Sequence, residues 1–159
     1  MITIIQSKDE QWLIKAAELM ATSEPWITLK RNFEQGLLLL QDPENTVFIA
    51  LEGKEFAGFA IVKMTGVLKG YLQTIGVAAN KRSKGIGKLL IEKVEDFIFE
   101  KYPNVFLCVS SFNLRAAELY YDLGYSKVGE LKDFIENGHS ELILRKSKGC
   151  LNNYNTNKL

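Results

Sequence analysis

Arg82-Ser83-Lys84-Gly85-Ile86-Gly87-Lys88 is a short basic turn between a strand-like run and a helix-like run. The run before it is Tyr71-Leu72-Gln73-Thr74-Ile75-Gly76-Val77. After the turn, one face of a helix is apolar at Ile86, Leu89, Leu90, Val94, Phe97 and Ile98. The first turn of a helix has unpaired N–H groups and the positive end of the dipole. Because glycines lack the Cβ that keeps an anion away, the segment predicts a phosphate or pyrophosphate site.

Two common nucleotide-binding motifs do not fit this turn. A P-loop would place Arg82 at its first glycine and Leu89 at its Mg²⁺-binding hydroxyl. The dinucleotide fingerprint fails because Leu90 is the third residue after Gly87. The remaining pattern is [RQ]-x-x-G-x-[GA], formed by Arg82, Gly85 and Gly87. An ordinary helix start with solvated lysines gives the same heptad, so this motif alone does not decide between the two.

A second motif lies downstream, where residues 113–125 read N-x-x-A-x-x-L-Y-x-x-x-G-[FY]. Asn113 can cap a helix, and Gly124 can end it in a left-handed conformation. Alone, this is an ordinary amphipathic helix. Together and in this order, the two motifs resemble the coenzyme-binding segments of the GNAT N-acetyltransferase superfamily. The layout is most similar to that of ribosomal-protein N-terminal acetyltransferases, and the specific part of the resemblance runs from Tyr71 to Tyr125.

Size and composition indicate one ordinary globular domain. The chain has 159 residues, 47% of them hydrophobic and 25% charged, with a formal net charge of +1. The whole chain therefore gives no electrostatic reason to bind nucleic acid or an anionic membrane. No apolar run approaches the length of a membrane span, and the N-terminus is too short for a signal-peptide core. We expect a cytoplasmic protein.

The two cysteines and one histidine do not indicate a metal site. Cys108 lies in an apolar run and Cys150 in a polar tail, without a C-x-x-C or His/Cys cluster. Cys108 reads as a buried free thiol, and a disulfide framework is not expected. His139 follows the turn signal Asn137-Gly138, which indicates a surface or half-buried histidine.

The pattern of elements predicts β-α-α-β-β-β-α-β-α-β-β. We expect a second helix from Pro25 through Leu40, and a hairpin made by residues 46–51 and 55–64. A strand, helix and strand from Tyr71 to Val109 favour a parallel crossover, whereas the hairpins imply antiparallel pairs. The predicted fold class is α/β: a twisted, mixed sheet of about seven strands flanked by about four helices, as in GNAT proteins. The predicted domain spans residues 1–146, and residues 147–159 form a disordered tail.

The resemblance implies a function: transfer of an acetyl group from acetyl-coenzyme A to a primary amine, directly and through a tetrahedral intermediate. It also implies that the two parallel strands splay apart, with the pantetheine arm in the gap. The implied coenzyme-binding residues are Ile75, Val77, Arg82, Ser83, Lys84, Gly85, Ile86, Gly87, Lys88, Asn113, Ala116 and Tyr120. Lys81, Arg82, Lys84 and Lys88 add positive charge near the phosphates.

Tyr120 matches the family position of the general acid. The leaving thiol has a pKa of about 8.5 and tyrosine one of about 10, so proton donation is nearly thermoneutral. The alternative is that Tyr120 only packs against the coenzyme. Tyr121 points about 100° away around the helix and is the weaker candidate.

The general base is not evident in the sequence. Relatives place a carboxylate in the strand before the turn, where this chain has Gln73 and Thr74. The remaining candidates for the base are Glu24 and a water molecule ordered by Gln73. The alternative role for Glu24 is that of a helix-capping residue. By analogy with the family, the acceptor site is lined by Trp26, Phe33 and Phe134. The alternative for each of these side chains is packing in the core. Glu24, Asp133 and Glu136 are the carboxylates able to attract a cationic amine.

The acceptor remains open between a protein N-terminus, a lysine and a small-molecule amine. Two other classes compete with the enzyme: a catalytically silent acyl-coenzyme A sensor, which needs no base, and an adapter that binds a partner through residues 23–26. A nucleotide hydrolase ranks last because the Mg²⁺ ligand is absent. A homodimer is possible, as in many relatives.

Overall fold

The structure, a computed structural model, describes residues 1–154. Within them the chain forms seven strands: β1 Ile2–Gln6, β2 Asn45–Glu52, β3 Glu55–Lys63, β4 Tyr71–Val77, β5 Asn104–Ser110, β6 Ser126–Lys132 and β7 Ser140–Ser147. The four α-helices are α1 Glu10–Thr22, α2 Phe33–Gln41, α3 Ile86–Phe99 and α4 Leu114–Asp122. A 3₁₀ turn at Ala79–Lys81 precedes α3.

All seven strands join one mixed sheet in the order β1-β2-β3-β4-β5-β7-β6. The pair β4–β5 is parallel, and the other five neighbouring pairs are antiparallel. The crossover from β4 to β5 contains α3, as the sequence predicts. The predicted fold class is therefore confirmed.

Helices cover both faces of the sheet because the strands alternate their apolar residues. On β2, Val47 and Ile49 pack with α1 and α2, whereas Phe48 and Ala50 pack with α3. Leu90, Val94 and Ile98 of α3 are fully buried against the sheet. Burial of a side chain of this size contributes about 1.5–3 kcal/mol.

An extra residue in β4 accompanies the separation of the two parallel strands. Leu72 pairs with Val62 and Thr74 with Ile61, so Gln73 has no partner in the β3–β4 register. Such a bulge bends and twists its strand. Pairing of β4 with β5 is confined to Tyr71 and Leu72. From Gln73 onward the two strands diverge, which confirms the gap that the resemblance implies.

The predicted second helix is wrong at its N-terminal end. Residues 24–30 form turns, and α2 begins at Phe33, not near Pro25. The reason is local: Asn32 and Gln35 form a capping box that starts the helix there. Before it, Lys30 adopts a left-handed φ of 56°, which no α-helix continues through.

The last strand continues to Ser147, one residue past the predicted domain boundary. After it, the Tyr154 hydroxyl donates a hydrogen bond to the Phe99 carbonyl at 2.7 Å. Residues 155–159 of the predicted disordered tail lie outside the described residues. In the part of the chain that is described, no helix has the length and apolar character needed to cross a membrane.

Candidate active site

The divergence of β4 and β5 opens a groove of about 920 Å³. Its floor is formed by residues 73–75 of β4 and 108–110 of β5. At one side, α4 contributes Asn113, Ala116 and Tyr120. At the other side lie the segment between α1 and α2, with Trp26 and Leu29, and the β6–β7 turn, with Phe134 and Ile135. The groove thus has two sides, one built by α4 and the other by the α1–α2 segment and the β6–β7 turn.

The β6–β7 turn and the α1–α2 segment are joined at the rim. Lys30 Nζ lies 3.0 Å from Glu136 Oε1, a contact between residues 106 positions apart. Both side chains are at least partly exposed, so the pair contributes at most about 1 kcal/mol to stability. Its effect is to hold together two segments that border the same side of the groove.

The basic turn at residues 82–88 presents a set of backbone N–H groups. Ser83 and Gly85 have positive φ angles of 62° and 76°, and α3 begins directly after them. The first helical hydrogen bond runs from Leu89 N to Gly85 O at 3.1 Å. Among residues 1–154, no acceptor is found for the N–H groups of residues 83–88. This turn is therefore able to bind an anion through its backbone.

The lysines of the turn are largely committed to carboxylates, which differs from the sequence expectation. Lys81 is buried and bonds Glu52 and Glu55 at 2.7 and 2.6 Å. Lys84 Nζ lies 2.9 Å from Glu52 Oε1, and Lys88 lies 3.7 Å from Glu92. Sequence analysis missed this because Glu52 is about thirty residues away, on the β2–β3 hairpin. These lysines therefore hold the turn in place, and the carboxylates they contact neutralise much of their positive charge.

Two arginines remain available at the turn. Arg82 Nε donates to the Val77 carbonyl at 3.2 Å, and its guanidinium has no carboxylate partner among the described residues. Arg115, from the first turn of α4, places Nη2 3.2 Å from Ser83 Oγ. Sequence analysis did not select Arg115, and no local signal marks it, because the contact spans 32 positions.

Asn113 does not cap α4 with its side chain, contrary to the sequence expectation. Its backbone N–H donates to Ser110 O at 2.8 Å, and its carbonyl accepts from Ala117 N at 3.1 Å. The carboxamide lines the groove instead. At the other end of α4, Gly124 has a φ of 94°, and Tyr125 N donates to Tyr120 O, as the predicted left-handed end requires.

Tyr120 is buried, at 6% exposure, and packs edge-on against Tyr125 with ring centroids 5.7 Å apart. It borders the groove. Burial raises the pKa of the Tyr120 hydroxyl well above its ordinary value. The side chain therefore stays protonated at neutral pH and is a weaker acid than an ordinary tyrosine, whose pKa is about 10. Tyr121 is 44% exposed and points away, as expected.

Three of the sequence candidates for the acceptor side, Glu24, Trp26 and Gln73, fall in different places. Glu24 is exposed, does not line the groove, and accepts a hydrogen bond from Thr28 N at 3.1 Å, as a capping residue does. Trp26 is 8% exposed and packs on Phe59, while its outer edge lines the groove. Gln73 lines the groove, and its Oε1 is buried without a partner among residues 1–154. Of these three, Trp26 and Gln73 are in position to meet a ligand in the groove, as is Phe134.

A buried carboxylate that sequence analysis did not select also lines the groove. Glu141 of β7 is 5% exposed, and its Oε1 accepts a hydrogen bond from Ser110 Oγ at 2.6 Å. The signal was a charged residue beside the apolar run Leu142-Ile143-Leu144. That signal is weak, since strand sequences commonly alternate polar and apolar residues.

Cys108 is half-buried on the groove floor, next to Tyr71. Burial raises the pKa of the Cys108 thiol, and a hydrogen bond from Tyr71 partly offsets this. The thiol is therefore a poor nucleophile at neutral pH. His139 packs edge-on against Phe112 at 4.8 Å. No group of three or more His, Cys, Asp and Glu side chains able to hold a metal is found among the described residues.

A mixed sheet whose two parallel strands separate beside an anion-binding helix start is the arrangement that the resemblance to GNAT proteins implies. The sequence matches the model of the Acetyltransferase (GNAT) family over residues 9–125. The chain belongs to this family and is an acyltransferase.

Relatives with known names are consistent with this assignment. The chain is 27% identical over 137 residues to the N-alpha-acetyltransferase RimI of Mycobacterium tuberculosis, covering 84% of this chain and 82% of RimI. The ribosomal-protein-S18-alanine N-acetyltransferase from Escherichia coli superposes with a TM-score of 0.73 at 20% identity, over 97% of this chain and 99% of that chain. The spermidine N-acetyltransferase from Vibrio cholerae, solved with CoA and spermine, superposes with a TM-score of 0.72 at 18% identity, over 92% of this chain and 95% of that chain.

Proposed function

We propose that the protein transfers an acetyl group from acetyl-coenzyme A to the primary amine of a peptide or small molecule. The observation that carries this proposal is the open β4–β5 gap directly beside the unpaired N–H groups of residues 83–88. A coenzyme needs both features: an anion site for its pyrophosphate and a slot for its pantetheine arm. The family membership and the relatives named above support the same donor.

The residues of the groove fit this coenzyme. Backbone N–H groups of Ser83, Lys84, Gly85, Ile86, Gly87 and Lys88 would hold the pyrophosphate, with Arg82 and Arg115 adding charge. An added Cβ at Gly85 would meet no atom within 4 Å, so the space beside the turn is open. The edge of β4 around Ile75 and Val77 would pair with the pantetheine amides as a neighbouring strand does. Asn113 and Ala116 would line the opposite wall.

Tyr120 would donate a proton to the leaving sulfur. It borders the groove, and because burial raises its pKa the hydroxyl carries its proton at neutral pH. A backbone N–H at the exposed edge of β4 would stabilise the negative charge on the carbonyl oxygen. Both groups are fixed by the sheet and by α4 before the substrate arrives.

A peptide α-amine is the acceptor that the observations favour. The relative RimI is named as an N-alpha-acetyltransferase. Apolar side chains dominate the acceptor side, which has few carboxylates: Met20, Trp26, Leu29, Leu38, Phe134 and Ile135 line it. Polycations such as spermidine or aminoglycosides would need several negative partners. One amine attached to a peptide chain suits this surface better.

The silent-sensor alternative loses its main support in this structure. It rested on the absence of a carboxylate from β4, yet Glu141 brings a buried carboxylate into the same groove from β7. The predicted cytoplasmic location and homodimer remain predictions.

Thermal unfolding with acetyl-coenzyme A, desulfo-coenzyme A and ATP tests the donor. Ligand at a hundredfold its Kd adds about 2.7 kcal/mol, a Tm shift of several degrees. We expect Tm to rise with both coenzymes and to stay unchanged with ATP. The rise should be smaller in Arg82→Gln. It should be unchanged in the control Lys15→Gln, which alters an exposed lysine on α1. Thiol release with an alanine-initiated peptide, Nα-acetyl-lysine and spermidine then tests the acceptor. Absence of both the shift and thiol release would refute the proposed function.

A further inference from the structure

Glu141 is a buried carboxylate whose negative charge has little compensation. It is 5% exposed, and β5 pairs with β7 so that Ser110 lies directly opposite it. The Ser110 hydroxyl donates to Oε1 at 2.6 Å. No donor to Oε2 and no ion pair with a lysine, arginine or histidine is found within residues 1–154.

A buried charge with one hydrogen bond is costly. Removing a carboxylate from water costs several kcal/mol, and only a paired cation or several hydrogen bonds offset that cost. The other buried ionic residues follow this rule: Lys81 is held by Glu52 and Glu55, and Glu95 by Lys146 at 2.7 Å. Glu141 is the exception, and it lines the groove. Its environment is complementary to a small cation that enters from outside.

Glu141 lies close to the point at which β4 and β5 separate. Its charge contributes to the raised pKa values of Tyr71 and Cys108, after the larger effect of burial, so its carboxylate lies near both. Tyr71 directly precedes Leu72, the last residue of β4 that pairs with β5, and Cys108 directly follows Leu107, the partner of Leu72. Tyr120 borders the same groove from α4. A carboxylate and a phenol therefore approach the gap from two different elements.

We propose that Glu141 binds the ammonium group of the acceptor and takes its proton, with Ser110 as the positioning residue that holds the carboxylate. This inference rests on the proposed acetyl transfer. One ammonium proton moves to Oε2 of Glu141 and leaves to solvent through the groove. The freed nitrogen lone pair forms the N–C bond, and the C–S bond breaks. Tyr120 gives a proton to the sulfur and regains the surplus one from nitrogen, so the products are an amide, a thiol and one proton.

The decisive experiment compares Glu141→Gln with the wild type across pH, using the best amine of the panel above. Glutamine keeps the shape and can still accept from Ser110, but it takes no proton. We expect kcat/KM at pH 7 to fall about a hundredfold, the scale of general base catalysis. The loss should shrink as pH rises toward the pKa of the amine, about 8 for an α-amine and 10.4 for lysine. At such a pH much of the amine is already neutral in solution, so the reaction depends less on a base in the protein.

Other titratable groups near Glu141 are controlled separately. Tyr71 on β4 and Cys108 on β5 lie near it, and Tyr120 on α4 borders the same groove. On β6 the residue paired with Glu141 is Leu131, so its neighbours Glu130 and Lys132 point to the opposite face of the sheet. Glu130→Gln is the matched control, because this exposed carboxylate of the same strand pair is bonded to Lys127 and does not line the groove. It should leave activity unchanged. Ser110→Ala should lower kcat/KM less than Glu141→Gln does, and its loss should also shrink as pH rises. Glu141→Asp keeps a carboxylate and should be more active than Glu141→Gln.

The outcomes separate this inference from the proposed function. Acetyl-coenzyme A should stabilise Glu141→Gln as much as the wild type. Two results would overturn the role of Glu141 and leave the acetyltransferase proposal intact. One is wild-type kinetics in Glu141→Gln, and the other is a loss of kcat/KM that is equal at every pH. If Glu141→Gln unfolds, the pH signature of Ser110→Ala decides in its place, and an unchanged profile there overturns the inference. A wild type that acetylates no amine would instead refute the proposed function.

Discussion

At the scale of single residues, Gly85 combines a positive φ of 76° with open space beside its α-carbon. An alanine there meets no atom within 4 Å, so its cost is purely one of backbone conformation, about 1 kcal/mol. We expect Gly85→Ala to shift the turn toward negative φ, move the N–H groups of residues 83–88 and weaken acetyl-coenzyme A binding at least tenfold. Calorimetric titration measures the affinity.

Gly66 supplies the matched control for that substitution. Its φ is 90°, it also has no atom within 4 Å of an added Cβ, and it lies in the β3–β4 loop. Gly66→Ala should cost similar stability and leave coenzyme affinity unchanged. Equal affinities in the wild type and Gly85→Ala would show that the turn does not bind the coenzyme.

Tyr120 and Tyr121 are neighbours with opposite environments, which allows a direct test of the general acid. Tyr120→Phe keeps the buried ring and removes the hydroxyl, so we expect kcat to fall about a hundredfold while coenzyme affinity is retained. Tyr121→Phe removes an exposed hydroxyl and should change neither value. Steady-state kinetics beside calorimetric binding separates the two effects. Unchanged kcat in Tyr120→Phe would leave this residue a packing role only.

At the scale of elements, the start of α2 affects the acceptor side of the groove. Asn32 Oδ1 accepts from Gln35 N at 2.9 Å, and Gln35 Oε1 accepts from Asn32 N at 3.0 Å. Asn32→Ala removes the first of these bonds and should cost about 1 kcal/mol. Since α2 lines the groove through Gln35, Leu38 and Leu39, we expect the amine KM to rise while coenzyme affinity stays constant.

Asp9 at the start of α1 is the control for the capping box, because its side chain makes no capping hydrogen bond. Asp9→Ala should therefore destabilise the protein less than Asn32→Ala in urea unfolding. A larger loss in Asp9→Ala would contradict this account of how the two helices begin.

The elements also show where local sequence patterns succeed and fail. The α3 start and the C-terminal end of α4 follow from periodicity and glycine positions, which act within a few residues. The α2 start was misplaced because Pro25 is a plausible first helical residue, whereas the Asn32–Gln35 capping box decides the start. The bulge at Gln73 was not predicted, because an extra residue in β4 has meaning only against its partner β3.

At the scale of the whole molecule, an ion-pair cluster joins the β2–β3 hairpin to the phosphate turn. Hydrogen bonds from Lys81, and then from Lys84, lower the pKa of Glu52 from 4.5 to about 2. A lowered pKa means that the contribution to stability is full above pH 4.5 and is lost as pH falls toward 2. Glu52→Gln should therefore be less stable than the wild type at pH 6, with the difference shrinking between pH 4.5 and 2.

Urea unfolding at a series of pH values measures this difference. Glu118→Gln on α4 is a suitable control, since it removes an exposed carboxylate with no ion pair among the described residues. Its difference from the wild type should stay small and constant with pH. A difference for Glu52→Gln that does not depend on pH would mean that the cluster contributes through packing alone.

The sequence by itself determined the order of the elements, the α/β class, the glycine turn before α3 and the placement of Tyr120 on α4. Each depends on side-chain periodicity or on backbone preferences that act within a few residues. The tertiary structure decided which charges are available and what faces the groove. It paired Lys81 and Lys84 with Glu52, brought Arg115 to Ser83, and placed Glu141 opposite Ser110. These contacts join residues 29 to 32 positions apart, and strand pairing and chain crossover, rather than local pattern, bring such residues together.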